Sequence, residues 1–156
     1  IWITIVYNNY KNLQVKIKSA ENDMNTLIRS EFDIINNIGN IISNLFEEEP
    51  FKDLKTLKEK RLSNFELNRT LKEYIAEYYK YKAQHSSTFK ENEELIKFSE
   101  ELEETEEFIK VCQEYYNDNV IKYNKAISVF PNIIIAKITK QHEKKLYDEI
   151  EEDCKL

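Results

Sequence analysis

One glycine and two prolines in 156 residues leave this chain little to make tight turns with. Turn-rich β architectures need many more such breaks, so the punctuation dictates a mostly helical chain. One long polar run, FSEELEETEEFIKVCQEYYNDNVIKYNKAISVF over residues 98–130, contains neither breaker and is stopped only by Pro131. Charged residues at 33% and apolar ones at 41% suit amphipathic helices and lie outside the disordered class. The chain is long enough to enclose a real core. A net charge of −6 argues against a phosphate-backbone binder, so no nucleic-acid partner is expected. Two cysteines, Cys112 and Cys154, do not make a disulfide framework, and reduced thiols are expected.

Apolar residues recur at steps of three and four from Leu13 through Ile17, Ala20, Met24 and Leu27, and again at Ile34, Ile38, Ile41 and Leu45. That is a helix stripe, spoiled at one position by Glu31 and widened by Ile28, Ile35 and Ile42. Gly39 within it reads as a close helix crossing. The helix should stop between Glu47 and Pro50. A second helical region spans about 51–84, with a kink or short break where Ser63 or Asn64 caps the second piece and Glu66 stands near the capping-box position. Residues 85–88, His-Ser-Ser-Thr, mark a turn. The spacing then predicts one continuous helix over 92–129, with Leu95, Phe98, Leu102, Thr105, Ile109, Cys112, Tyr116, Asn119, Tyr123 and Ala126 on a heptad seam. Residues 132–139 read equally as a buried loop or a short helix, and 140–152 as a charged, helix-competent tail. The expected fold class is all-α, an elongated antiparallel bundle of three to four long helices.

The opening IWITIVY is apolar and aromatic, and Lys11, Lys16 and Lys18 follow it. Seven residues are too few for a span, which needs about 20. Two readings fit: the buried first turn of a soluble helix, or the C-terminal end of a transmembrane helix with its aromatic belt and cytoplasmic positive charges.

Reaction chemistry is hard to find. A di-iron bundle wants inward Glu-x-x-His pairs, but residue 82 is Lys and residue 139 is Thr, three before His85 and His142. Cys112 and Cys154 lie too far apart to suggest a zinc set, and one glycine makes no phosphate loop. No catalytic residue, metal ligand or cofactor is expected, and the chain is not expected to be an enzyme. Cys112 on the seam reads as a small core hydrophobe rather than a nucleophile. Glu100, Glu101, Glu103, Glu104, Glu106 and Glu107 read as a solvated face that can alternatively draw a divalent cation. Tyr116-Asn117 repeats seven residues later as Tyr123-Asn124. Such a ladder either bridges helices and fixes their register, because a buried polar group demands a specific partner, or forms a recognition surface.

A family resemblance now becomes visible. Glu101-Leu102-Glu103-x-Thr105-Glu106, Ile109, and Tyr116-Asn117-x-x-Val120-x-x-Tyr123-Asn124-x-x-Ile127-x-x-Phe130-Pro131 resemble the signature of the LemA family. Phe32-Asp33-Ile34-Ile35-Asn36-Asn37-Ile38 is similar to the family's aromatic-Asp-Leu-Ile-Pro-Asn-Leu stretch. Phe89-Lys90-x-Asn92-Glu93 before Leu95 fits the lead-in to its third helix. Asn36 stands in place of the family's proline, Glu21 of an early tryptophan, Glu107 of an asparagine and Gln113 of an arginine.

The resemblance implies an elongated helical bundle behind one N-terminal membrane-anchor helix, in bacterial single-pass membrane proteins without an established enzymatic activity. Residues 1–9 are then the C-terminal part of a truncated transmembrane helix, and residues 10–156 the bundle with its charged tail. The lysines put the bundle on the cytoplasmic side of the cell membrane. The expected function is a membrane-anchored interaction or scaffold domain that presents a helical rod to an unidentified protein partner. The alternative is a small-molecule or metal-ion binding module at the bundle end or on the glutamate face. Asp33, Asn37, Tyr116, Asn117, Tyr123 and Asn124 are the candidate inter-helix polar or recognition residues.

Overall fold

A computed structural model describes residues 1–47, 49–59 and 62–153. Among these every regular element is a helix: α1 (Trp2–Phe46), α2 (Leu54–Glu59), α3 (Asn64–Gln84), α4 (Ser86–Glu91), α5 (Glu93–Ser128), α6 (Asn132–Ile138) and α7 (Tyr147–Asp153). The long uninterrupted run is therefore one helix, within a residue of the expected bounds at each end. Its start is fixed by Asn92, whose Oδ1 accepts the Leu95 N–H at 3.0 Å. The expected break in the second region lies between α2 and α3. There Ser63 Oγ accepts the Glu66 N–H at 3.3 Å and Glu66 Oε2 accepts the Ser63 N–H at 2.8 Å, a complete capping box. Cys154 lies outside the described residues.

With a single glycine in the chain, helix ends fall to residues that tolerate the left-handed region poorly. Glu47 after α1 and Lys140 after α6 both take positive φ, 56° and 53°. Lys140 closes a Schellman motif: its N–H bonds the Lys137 carbonyl at 3.2 Å, and the Gln141 N–H bonds the Ala136 carbonyl at 2.8 Å. Gly39 is used for packing instead. A Cβ there would stand 2.9 Å from Cδ2 of Phe51, so the glycine admits a buried aromatic ring from the turn before α2. The close approach expected at Gly39 is thus made by a side chain.

The chain forms two compact units, residues 1–24 with 110–156, and residues 25–109. In the first, Val6, Tyr10, Leu13, Ile17, Ala20 and Met24 of α1 are buried with Tyr116, Val120, Tyr123 and Ile127 of α5. Residues 132–138 resolve as a short helix that buries Ile135 and Ala136. In the second unit, Ile28, Ile35, Ile38 and Ile42 are fully buried with Leu71, Ile75 and Tyr78 of α3 and Leu95, Leu102 and Ile109 of α5.

The seven-residue line Leu95, Leu102, Ile109, Tyr116, Tyr123 is buried along its whole length. The companion line differs from the expected seam. Phe98, Cys112 and Ala126 are half-buried, while Ser99 and Ile127, one residue on from the first and last, are buried; Thr105 and Asn119 of the same line are buried as expected. On α1, likewise, Leu27 and Ile41 are half-buried and Leu45 is exposed. An α-helix turns every 3.6 residues, so a face packed on several elements becomes a broad stripe and not a strict 3.5-residue seam.

Candidate functional site

The two Tyr-Asn pairs of α5 lie in the first unit, and what they hold is the returning chain. Beyond α6 residues 141–146 have no helix or strand of their own. Asn124 Nδ2 donates to the Lys144 carbonyl at 2.8 Å, and its Oδ1 accepts the Lys144 N–H at 2.9 Å. Asn117 Oδ1 accepts the Tyr147 N–H at 2.8 Å. Seven residues of helix advance about 10 Å. Three residues of extended chain advance about the same distance. Asparagines seven apart on α5 therefore meet backbone groups three apart on the tail.

The tyrosines fill the space behind them. Tyr123 is 1% exposed. Its hydroxyl donates to Gln141 Oε1 at 2.9 Å and accepts from Gln14 Nε2 at 3.2 Å, and its ring meets Tyr10 edge-on at 6.4 Å. Gln14 Nε2 also reaches Gln141 Oε1 at 2.7 Å, closing a triangle of α1, α5 and tail. The Tyr116 hydroxyl donates to the Lys145 carbonyl at 3.3 Å, and its ring packs edge-on against Tyr147 at 6.0 Å. Burial pushes the Tyr116 phenol upward, and Glu21 adds to the shift. Asp33 and Asn37, the other two candidates, are exposed on α1 in the second unit and do not join this ladder.

Glu31 interrupts the apolar stripe of α1. The structure buries it to 3% exposure, at the inward position its spacing demands, with Oε2 lacking any hydrogen-bond partner. Burial raises its carboxyl from 4.5 to about 7; Glu106 on α5 adds to the rise and Lys72 on α3 opposes it. Glu106 in turn accepts a hydrogen bond from the Tyr79 hydroxyl at 2.6 Å, and burial followed by this bond drives the phenol pKa upward. A carboxyl in this position holds its proton close to neutrality. The signal in the sequence was the placement itself: a glutamate at an inward position must be paired or protonated.

The glutamate face of α5 is solvated and partly paired. Lys82 reaches Glu103 at 3.0 Å and Lys97 reaches Glu101 at 3.8 Å. Among the described residues no group of three or more His, Cys, Asp or Glu gathers in a way that could hold a metal. His85 packs its ring on Tyr81 at 4.3 Å and beside Phe46 at 4.7 Å. The Cys112 thiol is raised by burial and then by Asp23, which works against a thiolate nucleophile. A cleft of about 180 Å³ in the second unit is lined by Asn36, Gly39, Asn40, Ser43, Phe51 and Lys52 among others. Asn36, at the family's proline position, thus faces this cleft.

The class defined here is an all-helical domain whose longest helix carries a tyrosine–asparagine ladder for its own C-terminal segment. Residues 22–155 match the LemA family, and the chain belongs to that family. Nothing among curated proteins matches the chain, and no solved structure matches it.

Proposed function

We propose that this LemA-family chain is the helical domain of a membrane-anchored, non-enzymatic interaction protein, held at the cytoplasmic face of a bacterial cell membrane and offering helix faces to a protein partner. The observation that carries the reading is the start of α1. Ile1, Trp2, Ile3 and Ile5 are 46–102% exposed, an apolar first turn and a half left largely open. Lys11, Lys16 and Lys18 follow on the same helix, as positive residues follow a span on its cytoplasmic side. No helix among the described residues is long and apolar enough to cross a membrane. In this reading the rest of the span is supplied by sequence upstream of Ile1 in the natural gene product.

The non-enzymatic part rests on how the polar groups are spent. The hydroxyls and amides of Tyr116, Asn117, Tyr123 and Asn124 bond to the chain's own tail, which supports a structural role for them. Alkaline carbonate extraction of membranes from cells expressing the natural gene product tests the anchor. Retention in the pellet is expected. Release into the supernatant overturns the reading.

A further inference from the structure

The corner between α5 and α6 carries a second group of exposed apolar residues. Phe130, Ile134 and Ile138 stand four residues apart and are 76%, 51% and 75% exposed. Ile134 and Ile138 lie on the outside of α6, whose other face buries Ile135 and Ala136, and Phe130 stands in the turn just before it. Val129, 49% exposed, extends the line. Large apolar groups in one exposed row mark a docking surface more than solvent-exposed scatter does.

Charge identifies the occupant. Residues 1–20 and 119–142 contain seven lysines and no aspartate or glutamate, in a chain with 29 acidic residues. Both segments belong to one unit, and Tyr10 ties them together: its hydroxyl donates to the Asn132 carbonyl at 2.9 Å. Lys137 and Lys140 are exposed beside the apolar line, Lys140 fixed at its place by the turn that ends α6. Exposed apolar residues with Lys137 and Lys140 beside them, and Glu143 as the carboxylate at the edge, 3.4 Å from Ser128 Oγ, fit an anionic lipid surface, where the rings and branched chains enter the headgroup boundary and the ammonium groups meet phosphates. A protein groove of ordinary mixed charge would not require so lysine-rich a rim.

We propose that the α5–α6 corner rests on anionic lipid through Phe130, Ile134 and Ile138, with Lys137 and Lys140 engaging headgroup phosphates. This rests on the membrane reading above and adds a point of attachment to it, so that the unit is held against the bilayer at two places instead of swinging from one.

The test is co-sedimentation of the 156-residue chain with vesicles of phosphatidylcholine alone and of phosphatidylcholine mixed with phosphatidylglycerol. Binding to the anionic vesicles is expected, weak or absent on the neutral ones and suppressed by high salt. The triple variant Phe130→Ser/Ile134→Ser/Ile138→Ser, and separately Lys137→Gln/Lys140→Gln, should each lower affinity about tenfold or more. Circular dichroism and melting confirm that both remain folded. The lysine pair, being exposed, keeps the test open if the triple variant does not fold. A third variant, Ile3→Ser/Ile5→Ser, reports on the start of α1. If it abolishes binding while the corner variants bind like the parent, the corner proposal falls and the membrane reading stands. No binding of the parent chain to any vesicle also overturns the corner, leaving the anchor to the carbonate extraction. A parent chain that self-associates, becomes monomeric in the triple variant and shows no vesicle preference assigns the surface to a second copy and overturns the lipid assignment.

Discussion

Asn124 grips the backbone of Lys144 from both sides, its amide donating to the carbonyl at 2.8 Å and accepting the N–H at 2.9 Å. This pairing imitates one rung of a β-ladder and reads no side chain of the tail. Asn124→Ala should cost about 1–2 kcal/mol, the worth of two hydrogen bonds in a half-exposed setting. It should also release the Lys144 amide to fast hydrogen exchange while the amides of α5 stay protected. Unchanged protection at Lys144 would show that the tail is held by something else.

Tyr116 and Tyr115 are neighbours with opposite surroundings, 3% and 47% exposed. Tyr116→Ala should cost roughly 3–5 kcal/mol, as for other large aromatic truncations in cores. Tyr115→Ala should cost no more than about 1 kcal/mol. Denaturant melts of the two decide it, and equal losses would contradict the register of α5.

Ser63→Ala removes half of the capping box at the start of α3 and should cost about 0.5–2 kcal/mol. Glu66→Ala in the same box should lose a similar or smaller amount. A melt that leaves Ser63→Ala unchanged would show that packing alone sets where α3 begins.

Glu31 makes stability depend on pH in a stated direction. The folded chain holds this proton more tightly than the unfolded chain, with a carboxyl at about 7 against an ordinary 4.5. The stability it contributes is fully present below 4.5, falls as pH rises through 7, and changes little beyond; the full span is worth ~3 kcal/mol. Glu31→Gln keeps the shape without the charge. It should be more stable than the parent by roughly 1–3 kcal/mol on the alkaline side of neutrality, and it should flatten the slope between these values. An equal destabilisation at every pH would mean that Glu31 is paired and charged.

Much of this was legible before any coordinates. The scarcity of glycine and proline dictated helices. The capping box at Ser63, the stop before Pro50 and the single run ended by Pro131 are local chemistry, and each was placed nearly to the residue. Patterning identified the buried line from Leu95 to Tyr123 because its steps of seven survive any choice between a 3.5- and a 3.6-residue period. The companion positions at Phe98 and Ala126 were misplaced by one residue, since the width of a packed face depends on how many elements cover it.

The Tyr-Asn repeat was recognised as a ladder. Its partner, an extended tail, lay in a charged stretch read as helix-competent, where no periodicity marks the bound segment. Glu31 was visible as an anomaly; only its burial and unpartnered oxygen show that the anomaly is a protonation site.

Membrane attachment and a bundle inside the cell are tested together by protease accessibility of the natural gene product. The chain should sediment with membranes, survive protease added to intact spheroplasts, and be digested in inverted vesicles. Recovery in the soluble fraction, or digestion in intact spheroplasts, would contradict it.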